Sequence, residues 1–207
     1  MKISSDHGSC NQKLHTNSEE FSQKPANGFQ TVGETIPTPS YDYSKIEPLF
    51  IDAIGRKVPT YIEDDNVLIF GENSKWNQKV AKTIVDASHK AGHSAVIVHH
   101  EKFLSLSPAQ KRFGESKNIV ICNDVYLGPA QLSVLKNFTS TQILFKIPGL
   151  VWKFSRMDAM VTPIARPTLK ALEIDESKFM HIGLLASLDA GEFCVCQNGA
   201  ITKRVML

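Results

Sequence analysis

From Asn66 onward, short apolar runs alternate with amphipathic stretches, and this alternation limits the fold more than any other feature of the chain. Val67 to Phe70 is continuously apolar and has the length of a buried strand. Trp76, Val80, Ile84, Ala87 and Ala91 then recur every three or four residues. Lys75, Lys79, Lys82, Asp86 and Lys90 take the opposite face, so the stretch predicts an amphipathic helix. Ser74 is placed to cap its start, and Gly92 suits the left-handed position after its end. The pattern repeats. Ser94 to Val98 is a second strand, and Ser107 to Gln110 combines a capping box with proline at the first helical position. Gly114 closes that short helix, and Asn118 to Cys122 is a third strand. Gly128 and Pro129 open a helix that buries Leu132 and Leu135, and Gln142 to Lys146 is a fourth strand. Met157 to Thr162 contains a shorter strand, Pro167 starts another short helix, and Met180 to Leu184 is a sixth candidate strand.

Strands that are continuously apolar need cover on both faces, which is the signature of a parallel sheet between helices. With right-handed crossovers the expected class is α/β, a Rossmann-like parallel sheet with helices on both faces. The last stretch differs, because Asn198-Gly199 lies between two strand-like runs and predicts an antiparallel hairpin over 192–207. Residues 1–45 are rich in Ser, Asn, Gln, Thr, Lys and Pro and are expected to be a disordered arm. Tyr41, Tyr43, Ile46, Leu49 and Phe50 suggest a strap over the domain, which is expected to span 46–191.

Charge and cysteine usage narrow the function. Lys plus Arg number 23 and Asp plus Glu 21, a formal net charge of +2, and no basic stripe is visible, so no nucleic-acid partner is expected. No apolar run reaches the roughly eighteen residues of a membrane helix. The opening MKISSDHGSC has no apolar core of a secretory signal. The four cysteines do not form a disulfide framework, which points to a reducing, cytoplasmic setting, possible contact with a membrane surface aside. Cys194-x-Cys196 lacks a second Cys/His pair, so no metal is expected, and the plainer reading is a strand with alternating faces.

Ligands of open parallel sheets bind beyond the carboxyl ends of the strands. That rule selects Gly71, Glu72, Asn73 and Ser74, then His99 and His100, then Asn123 and Asp124, then Pro148 and Gly149. The first turn lacks the second and third glycines of a dinucleotide fingerprint, and no P-loop exists, so no cofactor is expected. The helix N-terminus can still hold an anion, or Asn73 and Ser74 merely cap it. Adjacent strand residues face opposite ways, so His99 and His100 do not suit one metal. One of them could serve as a base near neutral pH, or be a loop-edge residue. Asp124 either meets substrate hydroxyls or closes an Asx turn before Gly128. Cys122 reads as a small core residue. Between Lys146 and Pro163, Trp152 and Phe154 lie among Lys146, Lys153 and Arg156. This loop either touches a membrane surface or an acceptor, or folds over the sheet with Trp152 in the core.

The order of elements resembles the N-terminal lobe of GT-B glycosyltransferases. MDAMVTPIARPTLKALEIDESKFMHIGLL is similar to the late Asp-x-hydrophobic-x-x-Pro strand, short helix and hydrophobic-Gly strand of those lobes, with Asp158, Pro163 and Gly183 at the matching points. Within that superfamily the similarity is to the group named after a plant mitochondrial-fission factor. Gly71 and Asn77-Gln78 match its first turn and helix entry, and Gly183-Leu184-Leu185 echoes its later turn. The similarity spans Asn66 to Leu188. Its first turn usually carries more glycine and a preceding acid than this chain has. The resemblance implies an acceptor-binding or adaptor half domain without the nucleotide-sugar lobe, so the chain is expected to be truncated, to need a separate partner that supplies that lobe, or to have lost catalysis. Gly71, Asn73, His99 and Asp124 would then line the cleft, His99 and Asp124 as catalytic candidates. Gly71, Asn73, Ser74, Asn123 and Gly149 are the ligand-binding candidates. Two other readings stay open: a non-catalytic, membrane-associated interaction protein making contact through Trp152 and Phe154, and a small nucleotide- or phosphate-binding enzyme.

Overall fold

The computed structural model describes residues 46–59, 66–112, 116–153 and 158–207, without the side chains of Arg112, Ser116 and Asp158. The arm over 1–45, Gly114 and the stretch from Phe154 to Met157 lie outside the described residues. In chain order the elements begin with β1 (Phe50–Asp52), β2 (Lys57–Val58), β3 (Asn66–Phe70), α1 (Ser74–Lys90) and β4 (Ser94–His99). There follow α2 (His100–Ser105), α3 (Pro108–Arg112), β5 (Ser116–Cys122), α4 (Pro129–Asn137) and β6 (Thr141–Leu144). The remainder is β7 (Leu150–Lys153), β8 (Asp158–Val161), α5 (Ala165–Ala171), α6 (Phe179–Ala186), β9 (Glu192–Gln197) and β10 (Ala200–Met206).

The main sheet is mixed, with strand order β2-β1-β10-β9-β6-β3-β5-β4. β4, β5, β3 and β6 are parallel to one another. From β6 outward, β9, β10, β1 and β2 continue the sheet antiparallel. All five residues of β3 are buried, as a strand between two helical layers must be. Its odd residues Val67 and Ile69 join Val80, Ala81 and Ile84 of α1 on one face. Its even residues Leu68 and Phe70 join Phe103, Leu132, Leu135, Leu169, Ile182 and Leu185 on the other. Helices therefore cover both faces, and each fully buried large apolar side chain contributes about 1.5–3 kcal/mol.

The connections follow one rule. From β3 the chain passes over β5 on the α1 face to reach β4. It then returns through α2 to β5 and through α4 to β6, both on the opposite face. Direction and face change together, so the three crossovers share one hand, as parallel units do. Among the described parallel strands, only β3 sends its chain to the α1 face.

Two strand expectations are corrected. Met180 to Leu184 lies inside α6, with Ile182 and Leu185 buried and Phe179 and Met180 exposed. A short continuous apolar run fits a buried strand or a buried helix equally well, and period alone does not separate them. The strand expected within Met157 to Thr162 is β8, but it pairs with β7 in a separate antiparallel ribbon. The central sheet is therefore parallel over four strands rather than six. The hairpin forms as expected: Asn198 (φ 50°) and Gly199 (φ 76°) make the turn. It is part of the sheet, with Phe193 fully buried and its ring 5.1 Å from that of Phe50. Cys194 and Cys196, two residues apart, share one face and one core cluster. Burial pushes both thiols up to about 12, so they act as small apolar groups.

Asn66 ties the amino ends of the parallel strands together. Its Nδ2 donates to the carbonyls of Lys111 (2.7 Å) and Phe138 (3.1 Å). Its Oδ1 accepts from the backbone N–H (3.1 Å) and Nδ2 (2.9 Å) of Asn118. Every hydrogen-bonding position of a buried amide is thereby filled.

Candidate functional site

The carboxyl ends of β3 and β6 meet where the chain leaves them for opposite faces, the place where open α/β sheets bind ligands. Gly71 makes the junction possible. Its φ is +123°, and an added Cβ would lie 2.8 Å from the carbonyl carbon and oxygen of Phe145. Only glycine lets the β3 turn press so closely on β6. Glu72 N–H then donates to Lys146 O (2.8 Å), and Phe145 N–H to Phe70 O (2.9 Å). Asn73 follows in the left-handed region (φ 93°), and its Oδ1 accepts from Trp76 N–H (3.4 Å). Asn73 is thus the cap, and the exposed Ser74 is the first helical residue. No acid occupies the first turn of α1, so the positive end of its dipole is not offset by a side chain of the helix itself.

Two adjoining cavities open on this rim. One, of about 190 Å³, is lined by Glu72, Asn73, Phe145, Lys146, Leu188, Asp189 and Ala190. The other, of about 540 Å³, adds Leu150, Val151, Trp152, Ala186 and Ser187. Lys146, Leu188 and Asp189 belong to both, so the two form one cleft. The third wall comes from the α6–β9 connection. Glu192 holds that wall, accepting from Asp189 N–H (2.9 Å) and pairing with Lys203 (2.6 Å). The cleft thus offers an ammonium, two carboxylates, a helix N-terminus and an indole flank.

Gly71 and Asn73, selected from the sequence, stand at this rim, and Leu188 and Asp189, not selected there, line the cleft with Asn73. Their signal was hidden because the run before them was read as a strand rather than as the helix that returns the chain here. Gly149 (φ +80°) has a packing role: an added Cβ would run into Thr162 Oγ1. Trp152 is half-buried, and an added Cβ on Gly183 of α6 would lie 3.5 Å from its ring, so it folds against the core.

His99, Asn123 and Asp124 stand elsewhere on the same edge. β4 is three places from β6, about 14 Å at roughly 4.8 Å per strand spacing. Asp124 is exposed, and its Oδ1 accepts from Tyr126 N–H (2.9 Å), the Asx turn. Its backbone carbonyl accepts from Cys122 Sγ (3.3 Å), and burial pushes that thiol up to about 12. His99 is exposed. His100, the first residue of α2 rather than a strand residue, is 4% exposed. The two rings lie 4.6 Å apart. Burial, then the charge of His99, hold the His100 pKa below the ordinary histidine value. Among the described residues its Nδ1 has no hydrogen-bond partner. Among the described residues no group of three His, Cys, Asp or Glu side chains is arranged to hold a metal ion.

Comparisons with protein-family models, curated proteins and solved structures return no match. Among the described residues no helix is long and apolar enough to cross a membrane.

Proposed function

We propose that this chain is a ligand-binding α/β domain with Rossmann-like layering that acts as the acceptor-binding or adaptor half of a GT-B-like pair. The nucleotide-sugar lobe would come from a partner. The observation that carries the proposal is the cleft at the carboxyl ends of β3 and β6, closed by Gly71 and lined by Lys146 and Asp189. Lys146 and the N-terminal end of α1 suit an anionic group, Asp189 or Glu72 suits a ligand hydroxyl, and Trp152 provides an apolar flank. The fission-factor resemblance supports the same end of the sheet. Gly183, however, sits inside α6 rather than at the end of a strand, so the support rests on the first turn and the cleft.

The expected outcome is binding without turnover. Nucleotide sugars, nucleotides and sugar phosphates are screened by thermal shift. A ligand at a hundred times its dissociation constant stabilises by about 2.7 kcal/mol. Lys146→Ala should abolish the shift, and the isolated chain should not consume labelled nucleotide sugar. Turnover by the chain alone sinks the half-domain reading, and a shift unaffected by Lys146→Ala sinks the cleft.

A second reading, membrane association, is favoured by Phe179 and Met180, which are 76% and 82% exposed at the start of α6. They lie one helical turn before Gly183, and so on the side of the helix that meets Trp152. The protruding groups are therefore on α6, beside Trp152, while Phe154 lies outside the described residues. Liposome flotation of Phe179→Ser with Met180→Ser should fall below wild type. Equal flotation removes this reading.

A further inference from the structure

A separate cavity of about 460 Å³ lies at the opposite, amino-terminal edge of the parallel strands. Its walls are the end of α4, the α5–α6 connection and the β9–β10 turn. Its volume is within the range of small-ligand pockets. Leu172, Ile174 and Cys196 are buried among its lining residues, and Gln142 adds a buried amide whose Nε2 donates to Thr139 O (3.1 Å).

The most informative residue is Glu173. It occupies the position after the α5 cap with φ +56°. Ile174 N–H reaches back to Leu169 O (2.9 Å) and Glu173 N–H to Lys170 O (3.1 Å), the helix ending in which glycine is normally favoured. A glutamate there is strained, and left-handed non-glycine residues concentrate where a side chain is needed for function. The Glu173 carboxylate pairs with Lys136 at the cavity wall. Lys178 and His181 line the same space, as does Asp175, whose Oδ1 accepts from the N–H (2.9 Å) and hydroxyl (2.7 Å) of Ser177.

The charges decide the ligand class. Lys136 and Lys178 balance Glu173 and Asp175, so no net potential favours a simple anion or cation. The ends of α4 and α5 bring partial negative charge, and the start of α6 brings partial positive charge. Such a field suits a molecule that carries both signs. We propose that this cavity is a second ligand site, for a small zwitterion of the amino-acid class. Its ammonium group meets Glu173 and the helix C-termini, and its carboxylate meets Lys178 and His181.

The probes are individual free L-amino acids, measured by thermal shift and calorimetry with the full chain. The N-acetyl and carboxamide derivatives of any hit, inorganic phosphate and glucose serve as comparisons. At least one free amino acid should bind, and both of its derivatives should bind tenfold or more weakly. Glu173→Gly should fold at least as well as wild type yet weaken binding tenfold or more, and Lys178→Gln should weaken it similarly. Lys146→Ala, in the other cleft, should leave this binding unchanged, which separates failure here from failure there. The proposal is overturned if no amino acid binds at tens of millimolar. It is also overturned if phosphate or glucose binds as well as the best amino acid, or if Glu173→Gly binds normally.

Discussion

Single residues set the closest approaches in this molecule, and their substitution effects follow from geometry. Gly71→Ala forces both a positive φ and a contact of 2.8 Å onto backbone that cannot yield. It should cost about 1–3 kcal/mol or more, read as a lower denaturant midpoint. Asn66→Ala removes the amide that the Lys111 carbonyl and the Asn118 side chain bond to. A buried polar group left unpaired costs about 1–3 kcal/mol, and more than one loses its amide partner here, so this substitution should rank among the most destabilising surveyed by chemical denaturation. Glu173→Gly should run the other way, gaining up to about 1 kcal/mol in the same assay because glycine accepts the left-handed backbone without strain. At this scale the sequence was partly legible. Gly71 and Asn73 stand out because they follow an apolar strand, and the Ser107–Gln110 capping box forms with both of its reciprocal bonds, at 2.9 and 3.3 Å. Glu173 carries no such mark, since a left-handed glutamate looks like any other surface acid until the helix end is seen.

At the scale of elements, periodicity succeeded where it was long and failed where it was short. The 17 residues of α1 gave enough turns to define a face, whereas the eight of α6 did not. α2 was missed altogether because His99 and His100 were read as one strand end. That helix should make stability pH-dependent. The His100 ring is buried as the neutral form, with its pKa held below the ordinary histidine value of 6.5. As pH falls below that value the unfolded chain takes up the proton more readily than the folded one. The stability is complete at higher pH and is lost on acidification toward the folded pKa. Thermal melts from pH 8 to pH 5 should show this loss, and His100→Phe should flatten it relative to wild type. An unchanged slope would mean that other groups control the acid limb.

At the scale of the whole molecule, the sequence showed which segments are strands but not how they are ordered. The placement of β5 between β3 and β4 depends on which helix covers which face, information spread over the entire chain. The same holds for the cleft, whose third wall comes from residues some forty positions beyond Lys146. The hairpin over 192–207, expected beyond a domain of 46–191, is the bridge between β6 and the β1–β2 edge. Removing 192–207 should therefore unfold the domain rather than trim it, with loss of a cooperative melt by circular dichroism. Biosynthesis meets the same dependence. While the chain is being made, the β6 border has no neighbour until the segment carrying Phe193 and Val195 emerges, so a nascent copy holds a sticky half-sheet that chaperones are suited to shield.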